Sequence, residues 1–162
     1  MTLRGSTTVP DRIFACLAYL MPLMEVIIRF SGPFFKQFPD LQIILLPLQP
    51  LLQIYLLSYS LPFGSLILFF LLFFLVVRNE NISHFIRFNT MQAILIDILL
   101  SLCGLILSFI LAPIVGGFVR EILTNTIFLG VVAAVIYSVV QTLLGRYAEI
   151  PTISEAVYMQ VR

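Results

Sequence analysis

The chain has 162 residues, 60% of them hydrophobic and only 10% Asp, Glu, Lys or Arg, with a net charge of +1 and a mean hydropathy of +1.09. Soluble domains carry roughly 25% charged residues, so a soluble domain is excluded and one integral membrane domain is indicated. The net charge says nothing about partners; the placement of the Arg and Lys residues does.

Residues 1–12 are polar, with Arg4 and Arg12, and leave no room for a transit peptide ahead of the first apolar run. Glu25 and Arg29 interrupt that run and no A-x-A-like site follows it, which argues against a cleaved signal peptide. A first span is predicted over about 13–30, with a kink at Pro22 that membrane helices tolerate. Glu25 and Arg29 are an i, i+4 pair in the favourable order. The pair reads either as a salt bridge easing two charges near a helix end or as part of a polar path.

Prolines at 33, 39, 47, 50 and 62 punctuate the next stretch, and no charge occurs from Leu41 to Val77. That run is too long for one straight span of ~20 residues and too short for two spans and a loop. Gln42, Gln49, Gln53 and Ser60 are spaced 7, 4, 7 on one helix face. Residues 41–56 are therefore expected to form a broken amphipathic segment at the membrane interface, followed by a second span over about 58–77. His84 is the sole histidine and has no cysteine near it, so no metal site is expected. Cys16 and Cys103 lie in apolar segments towards opposite faces and read as buried hydrophobes rather than a disulfide.

The third span is predicted over about 88–112, ended by Pro113, Gly116 and Gly117, and the fourth over about 122–144. Each carries a stripe of small and polar residues. In the third it is Asn89, Ala93, Asp97, Ser101, Gly104 and Ser108; in the fourth Thr126, Gly130, Ala134, Ser138, Gln141 and Gly145; both step 4, 4, 4, 3, 4. Such stripes let helices approach closely, and the two are expected to pack on each other. A carboxylate mid-span costs about 2.5–3.5 kcal/mol on insertion scales, so Asp97 should face protein or a water-filled cavity. A hydroxyl from Tyr19, Tyr137 or Ser138 is its expected partner. The tail, 145–162, is polar, with a short helix expected at 154–160. With four spans both termini share a side. Six basic residues (Arg4, Arg12, Arg78, Arg87, Arg146, Arg162) fall there against three (Arg29, Lys36, Arg120) on the other, which puts the termini on the cytoplasmic or stromal side.

No nucleotide loop, dinucleotide fingerprint, paired metal motif or nucleophile elbow occurs, so neither an enzyme nor a cofactor is indicated. Basic patches interleaved with aromatics are missing too, so nucleic acid is not indicated. The residues thus describe an all-α bundle of four transmembrane helices with an added interfacial segment. Its polar seam includes Asn89, Gln92, Asp97, Ser101, Ser108, Thr126, Ser138 and Gln141.

Three blocks together carry a resemblance: DRIFACLAYLMPL at 11–23, FIRFNTMQAILIDI at 85–98 and GRYAEIPTISEAVYMQ at 145–160. In this combination and order the chain resembles the twenty-kilodalton subunit family of the translocon at the inner envelope membrane of chloroplasts, with its plastid-encoded and cyanobacterial relatives. Arg87, Asn89, Gln92, Asp97, Tyr147 and Pro151 occupy motif positions. The resemblance implies four transmembrane helices with stromal termini and a share in a protein-conducting channel. Its partners would be other translocon subunits, polypeptide cargo and the lipid bilayer; the family supplies no catalytic residues. Without a transit peptide the chain is expected to be plastid-encoded, in the inner envelope, or cyanobacterial, in the plasma or thylakoid membrane. In a bacterium the role would be a related handling of membrane proteins. Two other readings fit the residues, a small-solute transporter coupled to protons through Asp97 and a structural assembly subunit. Against the transporter stands the lack of an internal repeat and of two broken half-helices.

Overall fold

The computed structural model describes residues 7–61 and 64–161. Helix α1 (Val9–Ala18) opens on a capping box. The Thr8 hydroxyl accepts from the Asp11 N–H at 3.4 Å, and the Asp11 carboxylate accepts from the Thr8 N–H at 3.0 Å. Helix α2 (Leu20–Phe30) follows after one irregular residue, Tyr19. Pro22 has no N–H for the Ala18 carbonyl and its ring crowds that turn, which accounts for the break. Together α1 and α2 make one membrane-length element, Val9–Phe30.

Helix α3 (Gly32–Gln37) turns the chain into a 3-10 stretch, Pro39–Leu48, which runs into α4 (Gln49–Ser60). Pro39 and Pro50 sit in first turns, where a missing donor costs little, while Pro47 lies inside the 3-10 stretch. Helix α5 (Gly64–Leu72) is extended by a π turn, Phe73–Val77. Helix α6 (His84–Leu105), capped by the Ser83 hydroxyl accepting from Ile86 N at 3.4 Å, is extended by π turns over Ile106–Leu111. Helix α7 (Gly117–Leu143) ends where the Arg146 N–H returns to the Gln141 carbonyl at 2.9 Å across Gly145, whose φ of 73° suits a residue without Cβ. Helix α8 (Ile153–Gln160) forms the tail.

The fold is all-α, with four helices among the described residues long and apolar enough to cross a membrane: Val9–Phe30, Pro39–Ser60, His84–Leu111 and Gly117–Leu143. The second of these differs from the sequence expectation. A single helix over 58–77 does not form, because α4 ends at Ser60 and Leu61 is extended, with ψ 137°. A Cβ at Gly64 would lie 1.7 Å from the Ser58 carbonyl oxygen, so α5 starts hard against the end of α4. The segment expected at 41–56 belongs instead to a continuous helical run, Pro39–Ser60, of 22 residues. The 14-residue Gly64–Val77 spans about 21 Å, short of a ~30 Å hydrocarbon core. Pro62, like Arg4 and Arg162, lies outside the described residues.

The stripes of α6 and α7 do not pack on each other either. The α1–α2 element is inserted between α6 and α7 and meets both, while α6 and α7 touch only slightly. Within an apolar 18-residue stretch of each helix, half is buried in Val9–Phe30, against 22% in Gly117–Leu143 and 6% in Pro39–Ser60, so the first element is the hub and α4 lies at the edge. Of three apolar clusters, two include hub residues and one joins the end of α5, α6 and the tail. Val77, Phe88, Met91 and Ile94 hold Val157 and Val161 of the tail. Tyr19, Ala93, Ile96 and Val135 fill the middle. Met24, Ile27, Phe30, Phe35, Leu100 and Phe128 close the other end.

Candidate functional site

Two polar groups sit inside this apolar bundle, and they differ in how far their hydrogen bonds are met. The first is centred on Asn89 and Gln92, both 0% exposed. Asn89 Oδ1 accepts from the Tyr19 hydroxyl and the Thr142 hydroxyl, each at 2.9 Å, while its Nδ2 donates to the Phe85 carbonyl at 2.8 Å. Gln92 Nε2 donates to the Tyr19 oxygen at 3.0 Å and to Ser138 Oγ at 3.4 Å; its Oε1 accepts from Ser154 Oγ at 3.3 Å. Ser154 Oγ in turn accepts from Ile150 N at 2.7 Å. Every amide atom is partnered, and four stretches of chain are tied at one point. A network of this kind, with each amide N and O partnered, rigidifies a core.

The second group lies deeper. Glu25, 3% exposed, accepts from Arg29 Nη1 at 2.9 Å through Oε1. Its Oε2 takes the hydroxyls of Tyr55, at 3.3 Å, and Tyr59. Arg29 reaches across α6 because Gly104 leaves room: a Cβ there would stand 2.5 Å from Arg29 Nη2. Asp97, 8% exposed, feels the charges of both Glu25 and Arg29, and Tyr55 feels those of Asp97 and Glu25. Among the described residues Asp97 Oδ1 is a buried oxygen with no hydrogen-bond partner; Asn125 Oδ1 is the other. The expected Asp97 partners are engaged elsewhere. Tyr19 and Ser138 serve Asn89 and Gln92, and the Tyr137 hydroxyl donates to the Glu149 carbonyl at 3.5 Å. Two carboxyl groups, one guanidinium and two phenols thus meet within the apolar bundle, with one carboxylate oxygen unmatched.

The sequence of residues 7–157 matches the family model described as chloroplast import apparatus, Tic20-like. This chain belongs to the Tic20 family. It is 57% identical over 153 residues to a Tic20 family protein of Synechocystis, covering 94% of this chain and 93% of that one. Protein TIC 20-v, chloroplastic, of Arabidopsis thaliana is 34% identical over 157 residues, covering 96% and 73%. Tic20 family protein Ycf60 of Gracilaria tenuistipitata is 33% identical over 159 residues, covering 95% and 76%.

The other motif positions of this Tic20 family member hold its ends together. Arg87 Nε donates to the Val77 carbonyl at 2.8 Å, tying α6 to the end of α5. The Tyr147 ring packs edge-on to Phe85 and Phe88, and its hydroxyl lies 3.0 Å from His84 Nδ1. Pro151 is exposed in the turn before α8, where Thr152 takes a left-handed φ of 69°. Of the two stripes, Ser101 and Gln141 are half-buried, Ser108 and Thr126 exposed, and the Thr126 hydroxyl is spent on the Ile122 carbonyl at 2.8 Å. Sequence reasoning missed Tyr55, Tyr59, Thr142 and Ser154. A signal for the tyrosines existed: they are four residues apart in a charge-free run, one turn of donors suited to a carboxylate in another helix.

Proposed function

We propose that this chain is a membrane subunit of a protein translocon, which with partner subunits contributes to a channel that conducts polypeptides. The match of nearly the whole chain to a family model named for the chloroplast import apparatus carries this reading. The membrane is the plastid inner envelope, or the plasma or thylakoid membrane of a cyanobacterium. The termini lie on the stromal or cytoplasmic side, following the excess of basic residues there. No catalytic role is proposed.

The packing supports a shared rather than a solitary channel. Helix axes 8–10 Å apart fill the bundle centre with side chains, so one copy encloses no passage for a polypeptide. Lateral faces are what one copy offers, and Pro39–Ser60, 6% buried over its apolar stretch, is the most open. The Glu25, Arg29, Tyr55, Tyr59 and Asp97 group lies behind that helix and is the candidate for contact with cargo. A photo-crosslinking amino acid at Ile54 or Leu57, both 66% exposed, tests this in native membranes. Adducts with other membrane subunits and with a polypeptide arrested in transit are expected. Adducts with lipid alone at both positions would overturn the proposal.

A further inference from the structure

At the end of the bundle away from the termini, α2, α3, α6 and α7 border a cleft of about 420 Å³. Arg29, Lys36 and Arg120 line it, against one acidic residue, Glu121. Arg29 is shared with Glu25, but the side chains of Lys36, Arg120 and Glu121 make no ion pair or hydrogen bond among the described residues. Gly117 lines the same cleft and begins α7, whose cap residue Gly116 offers no side-chain acceptor. The first N–H groups of a 27-residue helix are therefore left without a capping partner beside the cations. Built on Gly116 or Gly117, a Cβ would meet nothing within 4 Å, so a group can approach those N–H groups closely. Unpaired cations and an uncapped helix start, around one concave space, form a receptor for a tetrahedral oxyanion.

We propose that this cleft binds a phosphate group at the membrane boundary, as a lipid headgroup or as free phosphate. The surroundings favour the lipid. The cleft lies where α2 ends and α7 begins, and the chain running from its lining residue Ser108 to just past Gly117 exposes Phe109, Ile114 and Phe118 by 76%, 74% and 76%, an apolar surface for an acyl chain. Basic pockets between transmembrane helices take anionic headgroups by this chemistry.

The test is native mass spectrometry of the full chain in mild detergent, titrated with phosphatidylglycerol, phosphatidylcholine or inorganic phosphate. Phosphatidylglycerol is expected to bind more tightly than phosphatidylcholine. The Lys36→Gln/Arg120→Gln double variant should lose about 25-fold in that affinity, about fivefold per cation. Glu121→Gln should tighten binding, and Arg146→Gln, at the other end, should leave it unchanged. Displacement of the lipid by millimolar inorganic phosphate, lost in the double variant, would assign the cleft to free phosphate. Equal binding of both lipids with no effect of phosphate would overturn the proposal, as would equal losses in the double variant and Arg146→Gln. Circular dichroism of each variant confirms that the helices are retained.

Discussion

At the scale of single residues, the buried polar atoms among the described residues divide into those that hold the bundle and those left without a partner, Asp97 Oδ1 and Asn125 Oδ1. Gln92 shows the first kind. Replacing it with Leu removes the partner of Tyr19, Ser138 and Ser154 at once, and a buried group left unmatched costs about 1–3 kcal/mol. Gln92→Leu should therefore destabilise the fold by at least about 2 kcal/mol, read as an earlier loss of helical circular dichroism on heating in detergent. A variant as stable as the parent would show that the network is decoration. Gly104 tests the second kind. The atom that a new Cβ would strike is the end of a flexible arginine, 2.5 Å away, and not backbone. Gly104→Ala should thus keep its thermal stability to within about 1 kcal/mol while pushing Arg29 off Glu25. Lost translocation at unchanged stability is the expected pair of readings; loss of both together would make Gly104 a packing residue only.

At the scale of elements, the helices were legible and their neighbours were not. Length and hydropathy marked three of the four membrane-length helices to within a few residues at most ends, because long apolar runs bounded by Arg, Pro and Gly leave little choice. Between Leu41 and Val77 no charge occurs, and hydropathy alone does not say where a uniform run breaks. The break is set by Gly64, whose lack of a side chain lets α5 start against Ser58. Gly64→Ala should force the two helices apart at a cost of about 1–3 kcal/mol, measured by the same thermal unfolding, and a neutral result would mean the α4–α5 junction is loose. The α6 stripe follows that helix's buried face as far as Gly104, but the α7 stripe does not: the buried face of α7 is Thr124, Phe128, Val135, Ser138 and Thr142, while Thr126 and Gly130 are exposed, and neither stripe says what lies between the helices. Periodicity gives a direction around a helix, and only the burial of Tyr19, Met24, Val26 and Phe30 reveals that the first element fills the gap. The Asp97 group was half legible for a related reason. Its charges stand out in sequence, while Tyr55 and Tyr59 are tyrosines among leucines until the fold brings them to Glu25.

At the scale of the whole molecule, the hub is closed and the edge is open, which is the arrangement expected of a subunit rather than of a complete channel. Its orientation is checked with single cysteines at Gln160 and Phe118 in a Cys16→Ala/Cys103→Ala background. Gln160→Cys should react only from the cytoplasmic or stromal side and Phe118→Cys only from the other; labelling of both from one side would contradict an odd crossing between them. On the proposed function, Asp97 works in translocation and does not merely hold the bundle. Asp97→Asn keeps the size of the side chain and removes its capacity for charge, so it separates the two roles. The measurement is polypeptide translocation by the complex carrying Asp97→Asn, with assembly followed in parallel by native electrophoresis. Normal assembly with translocation lost is expected; translocation at the parental level in an assembled complex would contradict a working role for Asp97.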